Sequence, residues 1–240
     1  MSSEPISIRP VETIECRHCG AGAPVDEHFC GQCDKILALG RHGNYFTFFG
    51  LPRTLGVDRA DLEKRFRALS RQFHPDYFYN AERAEKLASL ERTSYLNDAY
   101  RTLRDPVKRL EYLLSLEGLP PVSQAGGGEA PAVPPALLEE VFALNEELDE
   151  IREAREAGGD AVALADRLAA ARQPIERKRE EHERRLAELS GTFDGLAGGA
   201  PERAAALDAL RELLLERQYI TNLMATIDRE REAAAIGQGE

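Results

Sequence analysis

Tryptophan is missing from this 240-residue chain, and aromatic residues make up only 7% of it while charged residues make up 30%. That is the composition of a soluble, mostly helical protein. No apolar run approaches the roughly 18 residues that a membrane span requires, so no membrane partner is expected. A basic excess is also missing: 42 acidic side chains against 31 basic ones leave a formal charge of −11. General binding to nucleic acid or anionic lipid needs a basic field, so neither is expected, and any cationic chemistry must be local. Met1 to Glu15 lack a charged-then-apolar signal pattern and carry too much acid for a transit peptide. A cytoplasmic location is expected. No acid, base and nucleophile converge on one segment, which leaves an enzyme without its parts.

Cysteine is scarce but concentrated. All four lie in one stretch, as Cys16-Arg-His-Cys19 and Cys30-Gly-Gln-Cys33. Two such pairs can place four thiolates at the corners of a tetrahedron, which suits a structural zinc ion. Gly20 and Gly31 give the turns room for backbone N–H groups to swing toward sulfur. Disulfides are the alternative, disfavoured in a reducing compartment. A redox dithiol lacks the surrounding βαβ pattern. With four cysteines available, His18 and His28 are spare nitrogens, and a closed shell leaves no catalytic position.

Beyond Gly43 the chain turns helical. Asn44 to Pro52 is an aromatic cluster closed by Gly and Pro, a brief helical turn. Asp58 caps the next helix, with Asp61 in its first turn. Leu62, Phe66, Leu69 and Phe73 form one apolar stripe, while Lys64, Arg67 and Arg71 gather on the opposite face. His74-Pro75-Asp76 follows at once. Proline pushes the histidine out of the helix and aspartate steadies the turn, making a rigid polar corner at the tip of a basic rod. Three aligned cations alone read as a solvated face; leading into a fixed turn, they read as a docking surface for an acidic partner. His74 suits recognition better than proton transfer. A further helix is expected from Glu82 to Arg104, regular in its second half (Leu96, Tyr100, Leu103) and less so in its first. Pro106 opens another, with Leu110, Leu113 and Leu114 inside and Gly118-Leu-Pro-Pro121 as its stop.

The second half begins with a Gly-, Pro- and Ala-rich linker, Ser123 to Pro135. Three helical stretches follow, which predict an antiparallel bundle. The first has a core stripe of Leu137, Val141, Leu144, Leu148 and Ile151, with Leu138 and Phe142 on a second stripe about 100° away. The middle one carries Leu164, Leu168, Ala171 and Ile175, then His182, Leu186 and Leu189, with a kink expected near Pro174. His182 reads as a helix-face residue rather than a ligand. Gly191 to Gly199 reads as loose. The last helix, from Pro201 to about Glu232, should bury Leu210, Leu213, Ile220, Met224 and Ile227, leaving Leu215, Tyr219 and Leu223 on its other side. Leu138, Phe142 and Tyr219 exceed what one stripe per helix needs. They read equally as a wider core or as an exposed patch.

Four segments together resemble the J-domain of the HscB family: Asn44-Tyr-Phe-Thr-Phe-Phe-Gly-Leu-Pro52, Phe73-His-Pro-Asp-Tyr-Phe78, Leu96-Asn-Asp-Ala-Tyr-Arg-Thr-Leu103 and Pro106-Val-Lys-Arg-Leu-Glu-Tyr-Leu-Leu-Ser-Leu116. Leu144-Asn-Glu-Glu-Leu-Asp-Glu-Ile151 is similar to the start of that family's C-terminal domain. HscB proteins are co-chaperones of iron–sulfur cluster assembly, and the four-cysteine segment resembles the extension on some eukaryotic members. The resemblance implies an all-α chain: a zinc segment over 1–40, a helical-hairpin J-domain over 41–120, a linker over 121–135 and a three-helix bundle over 136–236. It implies that Lys64, Arg67, Arg71, His74, Pro75 and Asp76 meet a DnaK/HscA-type chaperone and promote its ATP hydrolysis. It further implies that Leu138, Glu139, Phe142, Ala143, Glu146 and Tyr219 hold the cluster scaffold protein, Glu139 and Ala143 departing from the residue types usual there. Cys16, Cys19, Cys30 and Cys33 would hold zinc. A J-protein with an unrelated client, or a zinc-module adaptor without a chaperone role, are the competing readings.

Overall fold

The computed structural model describes residues 13–40, 43–119, 137–197 and 200–236. The chain divides into two compact units, 1–112 and 113–240. The linker Ser123 to Pro135 lies outside the described residues.

Strands β1 (Thr13–Glu15) and β2 (Gly22–Pro24) pair antiparallel, with Ile14 opposite Ala23. A single bridge between Phe29 and Ile36 follows. Helix α1 (Tyr45–Phe48) is one turn held by a reciprocal cap. The Asn44 side chain accepts the N–H of Phe46 and Thr47, and the Thr47 hydroxyl accepts that of Asn44. Helix α2 (Arg59–Phe73) starts where the Asp58 carboxylate accepts the N–H groups of Ala60 and Asp61. A 3₁₀ turn (Pro75–Phe78) leads to α3 (Arg83–Arg104), and Asp105 caps α4 (Pro106–Leu116).

Helices α2 and α3 form an antiparallel hairpin. Phe66 stacks on Tyr100 at 4.2 Å, and the Phe73 carbonyl accepts the hydroxyls of Ser89 and Thr93. Leu62, Phe73, Leu96, Ala99 and Leu103 are fully buried. Arg65 is structural: its guanidinium bonds Asp61 and the carbonyls of Phe49 and Gly50, tying α2 to the turn after α1.

In the second unit α5 (Leu138–Glu156), α6 (Ala161–Gly195) and α7 (Pro201–Ile236) make a three-helix bundle. Ion pairs mark the directions. Glu140 and Glu147 of α5 meet Lys178 and Arg167 of α6, and α6 Arg172 and Arg185 meet Asp228 and Glu216 of α7. Both pairings are antiparallel. Leu137, Leu144, Leu148, Ile151, Leu164, Leu168, Ile175, Ile220, Met224 and Ile227 are one buried cluster. These are the stripes that periodicity predicts. Past Ile175 the hairpin of α6 and α7 continues, closed by His182, whose Nε2 donates to the Leu213 carbonyl at 2.6 Å.

One expectation changes here. Helix α6 continues through Pro174 and runs on to Gly195, so the stretch expected to be loose from Gly191 is helical for another turn. Phe193 explains the extension: it is fully buried, with the Arg203 guanidinium 3.9 Å above its ring. Pro174 has no N–H for the Ala170 carbonyl four residues back. Pro174→Ala restores that bond at an exposed position, and the denaturation midpoint of the bundle should rise, with a gain of about 1–3 kcal/mol.

Candidate functional site

Pro75 sets the geometry of the polar corner. It forces His74 to ψ 125°, which ends α2 at Phe73. The His74 ring then turns back over the new 3₁₀ turn, and its Nδ1 accepts the Asp76 N–H at 3.3 Å. The Tyr77 N–H donates to the His74 carbonyl at 3.0 Å. Nδ1 also lies 3.5 Å from the Asp76 carboxylate, which leaves Nε2 as the ring's outward-facing nitrogen. The side chains of His74 and Asp76 are 51% and 88% exposed, so the corner projects into solvent. Lys64, Arg67 and Arg71 are exposed along the helix that leads to it. Arg67 pairs with Glu63 at 2.9 Å, a solvated contact that a partner's carboxylate can replace at small cost. Glu63 also accepts the Tyr100 hydroxyl. Tyr77 and Tyr79, which the sequence reading passed over, stand 74% and 77% exposed beside the corner.

The four cysteines converge. Their sulfur atoms all lie within 4.8 Å of one another, with Cys16–Cys33 and Cys19–Cys30 each at 3.7 Å. Tetrahedral ligands about 2.3 Å from a central ion sit about 3.8 Å apart, and a disulfide needs about 2.05 Å. The spacing fits a metal and excludes the disulfide. The two knuckles are built alike: Gly20 N–H bonds the Cys16 carbonyl and Asp34 N–H bonds that of Cys30. Each of these residues takes positive φ, 74° and 56°. The left-handed position of the second knuckle is therefore Asp34, a residue that tolerates it, and not Gly31. The N–H groups of Cys19 and His18 point at Cys16 sulfur and hold its thiol down at about 6.

His28 has a different partner from the metal. Its ring packs edge-on against Phe48 and Phe73, and its Nδ1 accepts from Arg92 at 2.7 Å. Burial, with the Arg92 charge beside it, holds its pKa down at about 4, so the ring is neutral. Arg92 is the residue that sequence reasoning missed. It sits on α3, 1% exposed, and donates to the carbonyls of Leu37, Glu27 and Ala38. Lys35 reaches Glu85 of the same helix at 3.0 Å. The four-cysteine segment is thus packed into the first unit and does not stand apart.

In the bundle, Leu138 and Phe142 point away from the core, 39% and 70% exposed, and form a surface rather than a second core stripe. Glu139, Ala143 and Glu146 are exposed on the same helix. Glu139 and Ala143 also line a groove of about 490 Å³ between α5 and α6, with Leu144, Ala171, Pro174 and Ile175 beneath. Tyr219 is half-buried and packs on the bundle core.

A helical hairpin with an exposed His-Pro-Asp corner at its tip, carried with a separate helical bundle, defines a J-domain co-chaperone. Comparison with known proteins agrees. Residues 44–112 match the DnaJ domain and residues 133–228 the HSCB C-terminal oligomerisation domain. The chain is 32% identical to a co-chaperone protein HscB homolog of Vibrio cholerae over 186 residues, covering 78% of this chain and 95% of that one. The crystal structure of human co-chaperone protein HscB superposes with a TM-score of 0.63 at 25% identity, over 91% of this chain and 98% of that one. Chaperone HscB from Vibrio cholerae gives 0.50 at 26%, over 80% and 99%. The chain belongs to the HscB family, the J-protein co-chaperones of iron–sulfur cluster assembly.

Proposed function

We propose that the chain stimulates ATP hydrolysis by a DnaK/HscA-type chaperone and delivers the iron–sulfur cluster scaffold protein to it. The observation that carries this reading is the corner itself, preorganised by its own ring-to-backbone bond and exposed at the end of a cationic helix. Lys64, Arg67 and Arg71 steer and hold an acidic surface of the chaperone. His74, Pro75 and Asp76 present a stiff pair of polar groups, so little ordering entropy is lost on docking. Leu138 and Phe142, with Glu139, Ala143, Glu146 and Tyr219 around them, hold the scaffold. One chain gripping both proteins raises the scaffold's effective concentration at the chaperone. Hydrolysis then traps the scaffold there, easing transfer of its cluster to acceptors. In titrations of a partner chaperone with this chain, ATP turnover should accelerate and saturate; a flat rate overturns the reading.

Zinc is the metal that four clustered thiolates favour, and with all four positions filled its contribution is structural. Native mass spectrometry should find about one zinc per chain, lost on Cys30→Ser. A chain that keeps its zinc after that change contradicts the assignment. The cytoplasm, where free thiols persist, is the compartment we assign.

A further inference from the structure

Arg92 holds an unusual place. A fully buried guanidinium normally meets a carboxylate, yet its four partners are three backbone carbonyls and the His28 ring, all from the four-cysteine segment. Those partners sit on two arms, Glu27–His28 and Leu37–Ala38. The arms are joined by the bonds Leu37 N–H to His28 carbonyl and Cys30 N–H to Lys35 carbonyl, and by the Phe29–Ile36 bridge. Between them lies the knuckle that carries Cys30 and Cys33. That knuckle is the loop by which the chain passes from one arm to the other.

The first arm, with Phe29 next to it, covers Phe73. This ring is fully buried, 5.0 Å from His28, 6.1 Å from Phe29 and 5.7 Å from the Arg92 guanidinium. Its carbonyl is fixed from the other side by Ser89 and Thr93. The next residue is His74. Nothing but one peptide bond separates the covered ring from the exposed corner.

We propose that Arg92 is a positioning residue through which metal in the four-cysteine segment governs the rigidity of the His74-Pro75-Asp76 corner. Metal closes the knuckle, the knuckle sets the two arms, both arms satisfy Arg92, and Arg92 with His28 and Phe29 clamps Phe73. Without metal the arms part, Arg92 is left a buried cation without acceptors, and the base of the corner loosens. As a consequence, resting on the chaperone reading above, stimulation of the chaperone depends on metal although no cysteine touches the chaperone-binding residues.

The test uses the full chain in four forms: zinc-loaded, stripped by a chelator, Arg92→Lys and Arg92→Met. Amide exchange by NMR is read at Tyr77 and Tyr79, whose N–H groups close the corner, with Ile220 in the bundle as the internal reference. Stripping should speed exchange at Tyr77 and Tyr79 roughly tenfold, leaving Ile220 unchanged. Arg92→Met with zinc still bound should do the same, and Arg92→Lys, one charge without the fork, should fall between. Half-saturation of ATPase stimulation should shift to higher chain concentration in step, with the maximal rate retained. Unchanged exchange at Tyr77 and Tyr79, while Cys30 and Leu37 amides open, overturns the coupling. Metal-dependent exchange in a chain that stimulates nothing in either state supports the coupling and overturns the chaperone reading. Since the stripped protein carries no substitution, a variant that fails to fold does not remove the test.

Discussion

His74→Gln should reduce chaperone stimulation by roughly tenfold or more while lowering the thermal midpoint by only a few degrees. The asymmetry follows from where the ring sits. Its side chain is half exposed and packs into no core, so the fold loses only local contacts: the bond to the Asp76 N–H, the approach to its carboxylate and the edge contact with Tyr77. A lost cap of that kind is worth about 1 kcal/mol. The chaperone, by contrast, loses a flat ring held in one orientation with its outer nitrogen, Nε2, presented to solvent. Glutamine is flexible and must be ordered on docking. His74→Asn sharpens the test, because asparagine can accept the Asp76 N–H and restore the turn without supplying the outer nitrogen. It should refold the corner and still fail to stimulate. Full activity in His74→Asn would reduce the ring to a cap.

Phe142→Ala should weaken scaffold binding by roughly 30-fold, about 2 kcal/mol, in a calorimetric titration. The ring is 70% exposed in the free protein and lies outside the bundle's buried cluster, so its removal should leave stability within about 0.5 kcal/mol. Leu138→Ala should behave similarly with a smaller loss, since it offers less area. Tyr219 is a poorer probe: it is half-buried against Ile220-side core residues, and truncation would mix lost packing with lost binding. Unchanged affinity in Phe142→Ala would move the scaffold off this face.

Much of this architecture was legible in the residues. The stripes Leu137/Leu144/Leu148/Ile151 and Leu164/Leu168/Ile175 are buried as their spacing requires, and the cap at Asp58 holds. Leu138 and Phe142 could not be assigned from periodicity, because angular position says which face a side chain lies on and not whether another helix covers it. The irregular first half of α3 has a specific cause. Glu85, Ser89 and Arg92 lie on its buried face in place of apolar residues, each matched to Lys35, the Phe73 carbonyl or the carbonyls of the cysteine segment. A cation in line with Leu96, Ala99 and Leu103 was the available signal. It was unreadable alone because its partners are backbone atoms some 55 residues away, and backbone carbonyls leave no mark in a sequence. The helical turn past Gly191 was hidden for a similar reason: Phe193 earns its place through Arg203, across a loop.

If one chain holds the chaperone with its hairpin and the scaffold with its bundle, the two effects must reinforce each other. The most direct measurement is ATP turnover by the chaperone with the chain alone, the scaffold alone and both together. The rate with both should exceed the sum of the separate effects, a surplus that Phe142→Ala removes and that His74→Gln removes along with most of the basal stimulation. Rates that merely add, or a chain that leaves turnover untouched, would contradict that double hold.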